Sequence, residues 1–451
     1  MNPEDDAPAA RFLSILRKTQ WLPPRELHAY VSPLLARLIR HAATQTAYYP
    51  ERLGPLFDGG DPATAPIDFS RWHEVPILRR THVIDHIEGL KARETPRDVG
   101  VASEGSTSGT TGRAVDFLRS GVARMAEICT NYRLYEIFDF DLSGTLAFIT
   151  SDKEGTCQYP QGSRFEGWNR TDRSSPLWVL DVATQPADQL EWLERIKPDY
   201  VLTYPSCLAE VAAVAAERGS PLRFKTLIAT GEPLDPVTAD RLMGTFGCDV
   251  IDLYAAREIG VIAFECPDSA GYHVAAETTF CEIVDEAGKP VPPGEFGRVV
   301  VTALYNYAMP FIRYDVGDHA VRSATPCRCG RGLPKLERIG GRARSAFALP
   351  DGNRRALPGL VVRDIARCLS YRELQVAQID LYTVEIRYVP QDVSATPDIE
   401  GLTAIFRTAL HPGVAVNIKP VERFERTTGM KFEQFISYVS DQSQLHDHSS
   451  S

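Results

Sequence analysis

The chain has no long apolar run. No stretch approaches the ~20 consecutive apolar residues of a transmembrane helix, and the opening residues, Met1-Asn-Pro-Glu-Asp-Asp6, lack the basic and apolar regions of a secretory signal peptide. No membrane partner is expected, and the cytoplasm is the expected compartment. A basic surplus is missing too: 49 Lys and Arg face 59 Asp and Glu, a formal charge of −10. Binding to nucleic acid through clustered phosphate contacts needs the opposite balance, so no nucleic-acid partner is expected. Cysteine is sparse, odd in number at nine and thinly spread, which argues against a disulfide framework.

What is present is ordinary for a soluble globular enzyme: 43% hydrophobic and 24% charged residues. At 451 residues the chain is too long for one simple core, so two or more domains are expected. Residues 8–56 carry apolar side chains at helical spacing, and 71–91 read as a short loop and helix. From about 141 to 254 short apolar runs alternate with amphipathic ones. Strands are predicted at 146–150, 177–182, 200–203, 226–230 and 250–254, with helices at 187–197, 207–218 and 235–246. This rhythm implies a largely parallel sheet with helices on its faces, whose ligands sit at the carboxyl ends of the strands. After Tyr272 the pattern turns antiparallel, at 280–285 and 297–304. A glycine-rich joint at Gly340-Gly341-Arg342 is followed by about 100 residues with helices at 360–369 and 399–410 and one strand at 378–388. Residues from about 442 onward read as a disordered tail.

The stretch Ser103-Glu-Gly-Ser-Thr-Ser-Gly-Thr-Thr-Gly-Arg113 concentrates hydroxyls and glycines ahead of a strand-like run at 114–118. Glycines at 105, 109 and 112 let backbone approach a ligand closely, and successive N–H groups form a nest for anionic oxygens. Ser106, Thr107, Ser108, Thr110 and Thr111 add hydroxyl donors, and Arg113 a fixed positive charge. By itself such a cluster reads either as a phosphate clamp or as a flexible loop.

A second grouping is Cys266, His273, Cys327 and Cys329. Three thiols and one imidazole at these spacings suit a tetrahedral Zn²⁺ in a closed, structural site. Free cysteines beside an exposed histidine are the alternative.

Further motifs decide the loop. The segment Val299–Asp318, ending Arg313-Tyr-Asp-Val-Gly-Asp318, resembles the Arg-Tyr-x-x-Gly-Asp motif of adenylate-forming enzymes, closest in form to the phenylacetate–CoA ligase branch. The loop 103–113 resembles that superfamily's phosphate-binding motif, and Leu253-Tyr-Ala-Ala-Arg-Glu-Ile-Gly260 its Tyr-Gly-x-Ser/Thr-Glu motif. Arg338-Ile-Gly-Gly-Arg342 resembles its joint, and Arg426-Thr-Thr-Gly-Met-Lys431 its terminal lysine motif. The resemblance covers roughly residues 30–440. It departs at Arg113, where the family has Lys, and at Ala255-Ala256-Arg257, where the hydroxyl ahead of Glu258 is missing. It departs again at 343–355, a region that helps to build the thiol-acceptor site of the CoA ligases.

The resemblance implies an α/β fold of the multidomain α+β kind. Residues 1–341 would form a large adenylation domain with βαβ sheets and a small barrel-like part. Residues 342–440 would form a small mobile α+β domain, and 441–451 a disordered tail. It also implies ATP-dependent, AMP-forming activation of a small, aromatic carboxylic acid, followed by transfer to CoA. A non-CoA acceptor such as an amine, passage of AMP to a substrate hydroxyl, and nucleotide binding without catalysis are the rival readings. The implied nucleotide site comprises Ser106, Thr107, Ser108, Gly109, Thr110, Thr111, Gly112 and Arg113, the turn Gly231-Glu232-Pro233, Asp252, Tyr254 and Ala255, with Asp318 on the ribose and Arg338 near ribose or phosphate. Glu258 would hold Mg²⁺ with Thr111, and Lys431 would bridge carboxylate and α-phosphate. Candidate acyl-pocket residues are Phe138, Phe140, Phe148, Trp168, Tyr204 and Phe264. The polar stretch 151–173 hints at a more polar substrate. The expected partners are the acid, ATP and CoA; a homodimer stays open.

Overall fold

The computed structural model describes residues 7–107, 114–152, 154–168, 175–268, 270–342, 346–351, 354–357, 361–424 and 434–439. Its main feature is a twelve-stranded sheet. Five neighbouring strands run parallel, in the order Pro176–Asp181, Leu146–Thr150, Tyr200–Thr203, Thr226–Thr230 and Asp249–Ala256. Three helices, Pro186–Ile196, Pro205–Arg218 and Pro236–Phe246, connect them. Each helix opens on proline, whose fixed φ suits the first turn and whose missing N–H is not needed there. Each closes on a left-handed residue: Lys197, Gly219 or Gly247. Their apolar faces meet the sheet around Trp192, Leu208, Leu227 and Phe246.

Beyond Asp249–Ala256 the same sheet continues antiparallel through Gly260–Glu265, Tyr272–Val274, Lys335–Arg342, Tyr314–Arg322, Phe296–Ala303 and Thr279–Val284. The antiparallel part is thus continuous with the parallel one. The expected joint glycines, 340 and 341, lie inside the strand Lys335–Arg342. The helical stretch expected at 8–56 divides into Ala7–Thr19, Pro24–Gln45 and two short turns, because Pro23-Pro24 interrupts the first helix and starts the second. No helix among the described residues is long and apolar enough to cross a membrane.

Two of the departures from expectation bear on the site and on the second sheet. The helix Gly121–Ile137, absent from the sequence reading, is buried on several sides at Ala123, Ala126, Cys129, Tyr132, Arg133 and Leu134. It packs against Ala7–Thr19 on one flank and against Gly260–Glu265 on another, so no single apolar stripe betrays it. Arg133 on this helix pairs with Glu277 at 2.7 Å, both fully buried, and Thr19 donates to the same carboxylate at 2.8 Å. The single strand expected at 378–388 is instead a hairpin of Tyr371–Asp380 and Thr383–Pro390. Asp380 reverses the chain by accepting the Tyr382 N–H at 2.8 Å, an Asx turn.

That hairpin belongs to a separate four-stranded sheet with Ala415–Pro420 and Phe435–Ser437, covered by the helices Val362–Cys368 and Ile399–Ala409 around Phe347, Ile365, Val376, Ile386 and Phe406. It meets the larger sheet's layer at Pro236–Phe246. There Arg241 donates to the carbonyls of Tyr371 and Arg372 at 2.9 and 2.8 Å, and Gln434 reaches Asp235 at 3.3 Å.

Candidate active site

The parallel strands end at Thr150, Thr203 and Thr230, and over these ends opens a cavity of about 550 Å³. The crossover topology places such a crevice here, where strand ends and following loops diverge. It extends from Thr107 and Arg80 to Gln434 and Phe435 of the smaller sheet.

The described residues on either side of 108–113 belong to a pair of antiparallel strands. Ser103–Ser106 pairs antiparallel with Asp116–Arg119, so the strand-like run expected at 114–118 has a partner immediately before the loop. Thr107 closes the neck: its N–H donates to the Val115 carbonyl at 2.9 Å, and its hydroxyl accepts the Val115 N–H at 3.0 Å. Ser106 stands in the pairing strand. Ser108, Gly109, Thr110, Thr111, Gly112 and Arg113 lie outside the described residues, as does Lys431. Arg80, which sequence reasoning missed, donates to the Thr107 hydroxyl at 3.2 Å and lines the cavity beside it. Its only advance signal was a basic residue in a short loop-and-helix segment.

At the turn after Thr226–Thr230, Gly231 adopts φ +80, a conformation that glycine takes without strain. Glu232 accepts the Ser206 N–H at 3.2 Å, and Gly231, Glu232 and Pro233 all line the cavity. Asp252, Tyr254 and Ala255 follow on Asp249–Ala256 and line it too. The Tyr254 hydroxyl donates to Asp318 at 2.9 Å. Burial and then the neighbouring Asp318 charge push the Tyr254 phenol well above its ordinary value, so it remains a donor. Asp252 is buried and accepts the Tyr272 hydroxyl at 2.6 Å. Burial pushes its carboxyl up to about 7, opposed by the Tyr272 bond and reinforced by Glu265.

Glu258 is buried and accepts the Tyr314 hydroxyl at 2.9 Å; burial followed by the Glu258 charge raises that phenol. Glu258 and Tyr314 both line the cavity, so the carboxylate faces it with one oxygen already oriented. Arg313, next in chain to Tyr314, is an anchor and not a ligand. It sits at φ +49 and is buried, with Glu282 at 3.1 Å and the Val75 and Gly288 carbonyls at 2.7 and 2.6 Å. Arg338 is exposed on its strand and is not part of the cavity wall, where Ile339 and Gly340 stand instead. Of the acyl-pocket candidates, Phe138, Phe140, Phe148, Tyr204 and Phe264 line the cavity. Trp168 stands behind them, edge-on to Tyr135 with ring centroids 5.1 Å apart.

The Cys266, His273, Cys327 and Cys329 ligand atoms all lie within 4.8 Å of one another. Cys266 and Cys327 sulfurs are 3.6 Å apart, and His273 Nε2 is 3.2 Å from the Cys329 sulfur. The sulfur separation is far beyond a disulfide bond of ~2.05 Å. It matches two vertices of a tetrahedron with zinc–sulfur bonds of ~2.3 Å. Burial and then Arg331 hold the His273 imidazole down at about 4, hence neutral and able to ligate. The donor set therefore fits zinc.

Residues 176–306 match the family model described as AMP-binding enzyme. The chain is 25% identical over 334 residues to phenylacetate-coenzyme A ligase of Thermus thermophilus, covering 71% of each chain. It shares 26% identity over 141 residues with the Pseudomonas putida enzyme of that name, 30% of this chain and 32% of that one. Among solved structures, 2-hydroxyisobutyryl-CoA ligase in its postadenylation state aligns with a TM-score of 0.73 at 18% identity, over 96% of this chain and 93% of that one.

Proposed function

We propose that this chain, which belongs to the adenylate-forming superfamily and to its phenylacetate–CoA ligase-like branch, converts a small aromatic acid to its CoA thioester through an acyl-adenylate. The observation that carries the reading is one cavity in which four stretches far apart in sequence meet: Thr107, the Gly231 turn, Tyr254 to Glu258, and Asp318. The acid carboxylate attacks the α-phosphorus of ATP and pyrophosphate leaves. The CoA thiol then attacks the acyl carbon, losing its proton, and AMP departs. Positioning and charge neutralisation supply most of the acceleration.

Each residue has a physical part in this scheme. Thr107 and the loop 108–113 hold the β- and γ-phosphates, with the Arg80 guanidinium beside them. Tyr254 lies against adenine while its hydroxyl orients Asp318, whose carboxylate takes the ribose hydroxyls. Asp252 faces the adenine end. Glu258, with Thr111, would hold Mg²⁺, whose charge offsets that of the leaving pyrophosphate. Lys431, carried on the mobile C-terminal domain at 342–440, stabilises charge on the α-phosphate and swings away for the thioester step. The Cys266–His273–Cys327–Cys329 cluster holds a structural zinc, and the cytoplasm is the working compartment.

The test is ATP–pyrophosphate exchange with a panel of carboxylic acids, followed by mass spectrometry of products with and without CoA. Acid-dependent exchange and a CoA thioester are expected, and Lys431→Ala should lower exchange by at least about a hundredfold. An adenylate that ignores CoA and is taken by an amine instead would replace the second step with amide formation.

A further inference from the structure

The helix Gly121–Ile137 presents Glu127, Asn131 and Tyr135 to the cavity, spaced four residues apart and so stacked on one face. Their surroundings are apolar and aromatic: Phe138, Phe140, Phe148 and Phe264 form the adjoining walls. Polar groups in such walls are expected to be hydrogen-bonded. Among the described residues, the Asn131 amide and the Tyr135 hydroxyl make no hydrogen bond and, being half-buried, stand open to the cavity. The Thr203 hydroxyl, which joins the same wall, is buried and also unpartnered. Tyr135 is held rigidly all the same, stacked on Phe140 at 5.4 Å. Burial and then the Glu127 charge push its phenol up to about 12, so it stays protonated at neutral pH.

Glu127 is different. One of its oxygens, Oε2, accepts from Arg119 at 2.6 Å. The other faces Gly260, where φ is +99 and a Cβ would stand 3.5 Å from Glu127 Oε1. The Arg119 pairing neutralises the carboxylate's charge while leaving acceptor capacity on it. A neutral donor fits that arrangement better than an ammonium, which needs an uncompensated negative charge, or a second carboxylate, which needs a positive one.

We propose that Glu127, Asn131 and Tyr135 form a specificity face that selects an aromatic acid bearing a neutral hydrogen-bond-donating substituent, an arylamine or a phenolic hydroxyl. This rests on the acid-activating reading above. The substituent satisfies the Asn131 amide at the Glu127 end of this face, while the ring fills the aromatic walls. A methyl group of similar size leaves those polar groups without the partner that a donor would supply, and sites built for hydrogen bonding reject such analogues strongly.

The experiment measures kcat/KM in acid-dependent pyrophosphate exchange for hydroxy-, amino-, methyl- and unsubstituted benzoates and phenylacetates. It uses the full chain, Asn131→Leu and Tyr135→Phe, the latter keeping the ring stack. The ratio of each donor acid to its methyl isostere is taken on one preparation, so a partly unfolded variant does not distort it. In the native chain the best donor acid should exceed its methyl isostere by at least about tenfold. The ratio should fall to within about threefold in Asn131→Leu, and Tyr135→Phe should lower it less. Methyl or unsubstituted acids turned over as well as the donor acids overturn this inference while leaving acid activation standing, as does a preference that survives in both variants. Tight ATP binding with no exchange for any acid overturns both.

Discussion

Tyr254 and Asp318 lie 64 residues apart in the chain and are joined by a hydrogen bond of 2.9 Å, the phenol donating to the carboxylate. They come from strands in different parts of the twelve-stranded sheet, and each supplies one wall of the cavity. The bond fixes how the Asp318 carboxylate is presented to the cavity.

Replacing Tyr254 with Phe keeps the ring and removes that donor. A hydrogen bond to a charged group contributes roughly 1.5–3 kcal/mol, so ATP affinity should fall by about 10- to 100-fold with little change in the acid's KM. Isothermal titration with ATP and steady-state kinetics check this. Equal losses for ATP and acid would count against the nucleotide role.

Asp252 predicts a pH effect. Its folded value of about 7 lies above its ordinary 3.8. Between these values the folded chain holds a proton that the unfolded chain has released. Stability therefore declines as pH rises through that window and levels off above 7, with a slope of at most about 1.4 kcal/mol per pH unit. Asp252→Asn keeps an oxygen for Tyr272 and removes this contribution. Denaturant midpoints at pH 5, 6, 7 and 8 should converge at the acid end and favour the Asn variant at the alkaline end. Parallel profiles for the two proteins refute the assignment.

The cysteine cluster predicts one zinc per chain by elemental analysis. A metal present at about 1,000 times its dissociation constant contributes about 4 kcal/mol to the folded state. Chelation, or Cys327→Ser, should lower the melting temperature accordingly, and readdition of zinc should restore the chelated protein alone. Carefully purified protein without zinc removes the metal from this account.

The buried Arg133–Glu277 pair predicts an asymmetry. Arg133→Met leaves Glu277 buried without its cation and should destabilise by about 3–5 kcal/mol. The double variant with Glu277→Leu should recover a large part of that loss, since both charges are then gone. Urea titrations of the three proteins measure it. An additive double variant would show that the two side chains act independently.

Local chemistry was readable from one dimension. Prolines at helix starts, glycines at helix ends and short β-branched runs each act within a few residues, so the βαβ layer emerged nearly in register from 146 to 254. Glu258 and Asp318 were found through the resemblance of their motifs to those of the adenylate-forming enzymes, and the Cys/His group because thiols and an imidazole at that spacing carry chemistry wherever they stand. The Gly121–Ile137 helix was not found, because it is buried on several sides and shows no amphipathic stripe. With it went the Glu127–Asn131–Tyr135 face. The hairpin at Asp380 was missed because one aspartate side chain reverses an otherwise continuous alternating run.

The loop at 103–113, the carboxylates and the thiols were thus present in the order of residues alone, as an inventory of groups able to hold phosphate, ribose and metal. Their pairings were decided only by the fold: Tyr254 with Asp318, Asp252 with Tyr272, Glu258 with Tyr314, Arg80 with Thr107. Each pairing spans 20 or more positions; the first three depend on strand order and register in the large sheet, and the last on the packing of the helix Arg80–Asp85 beside the paired strands Ser103–Ser106 and Asp116–Arg119. A shift of one residue in any strand turns its side chains to the opposite face. Which groups meet in the cavity is therefore a property of the assembled sheet.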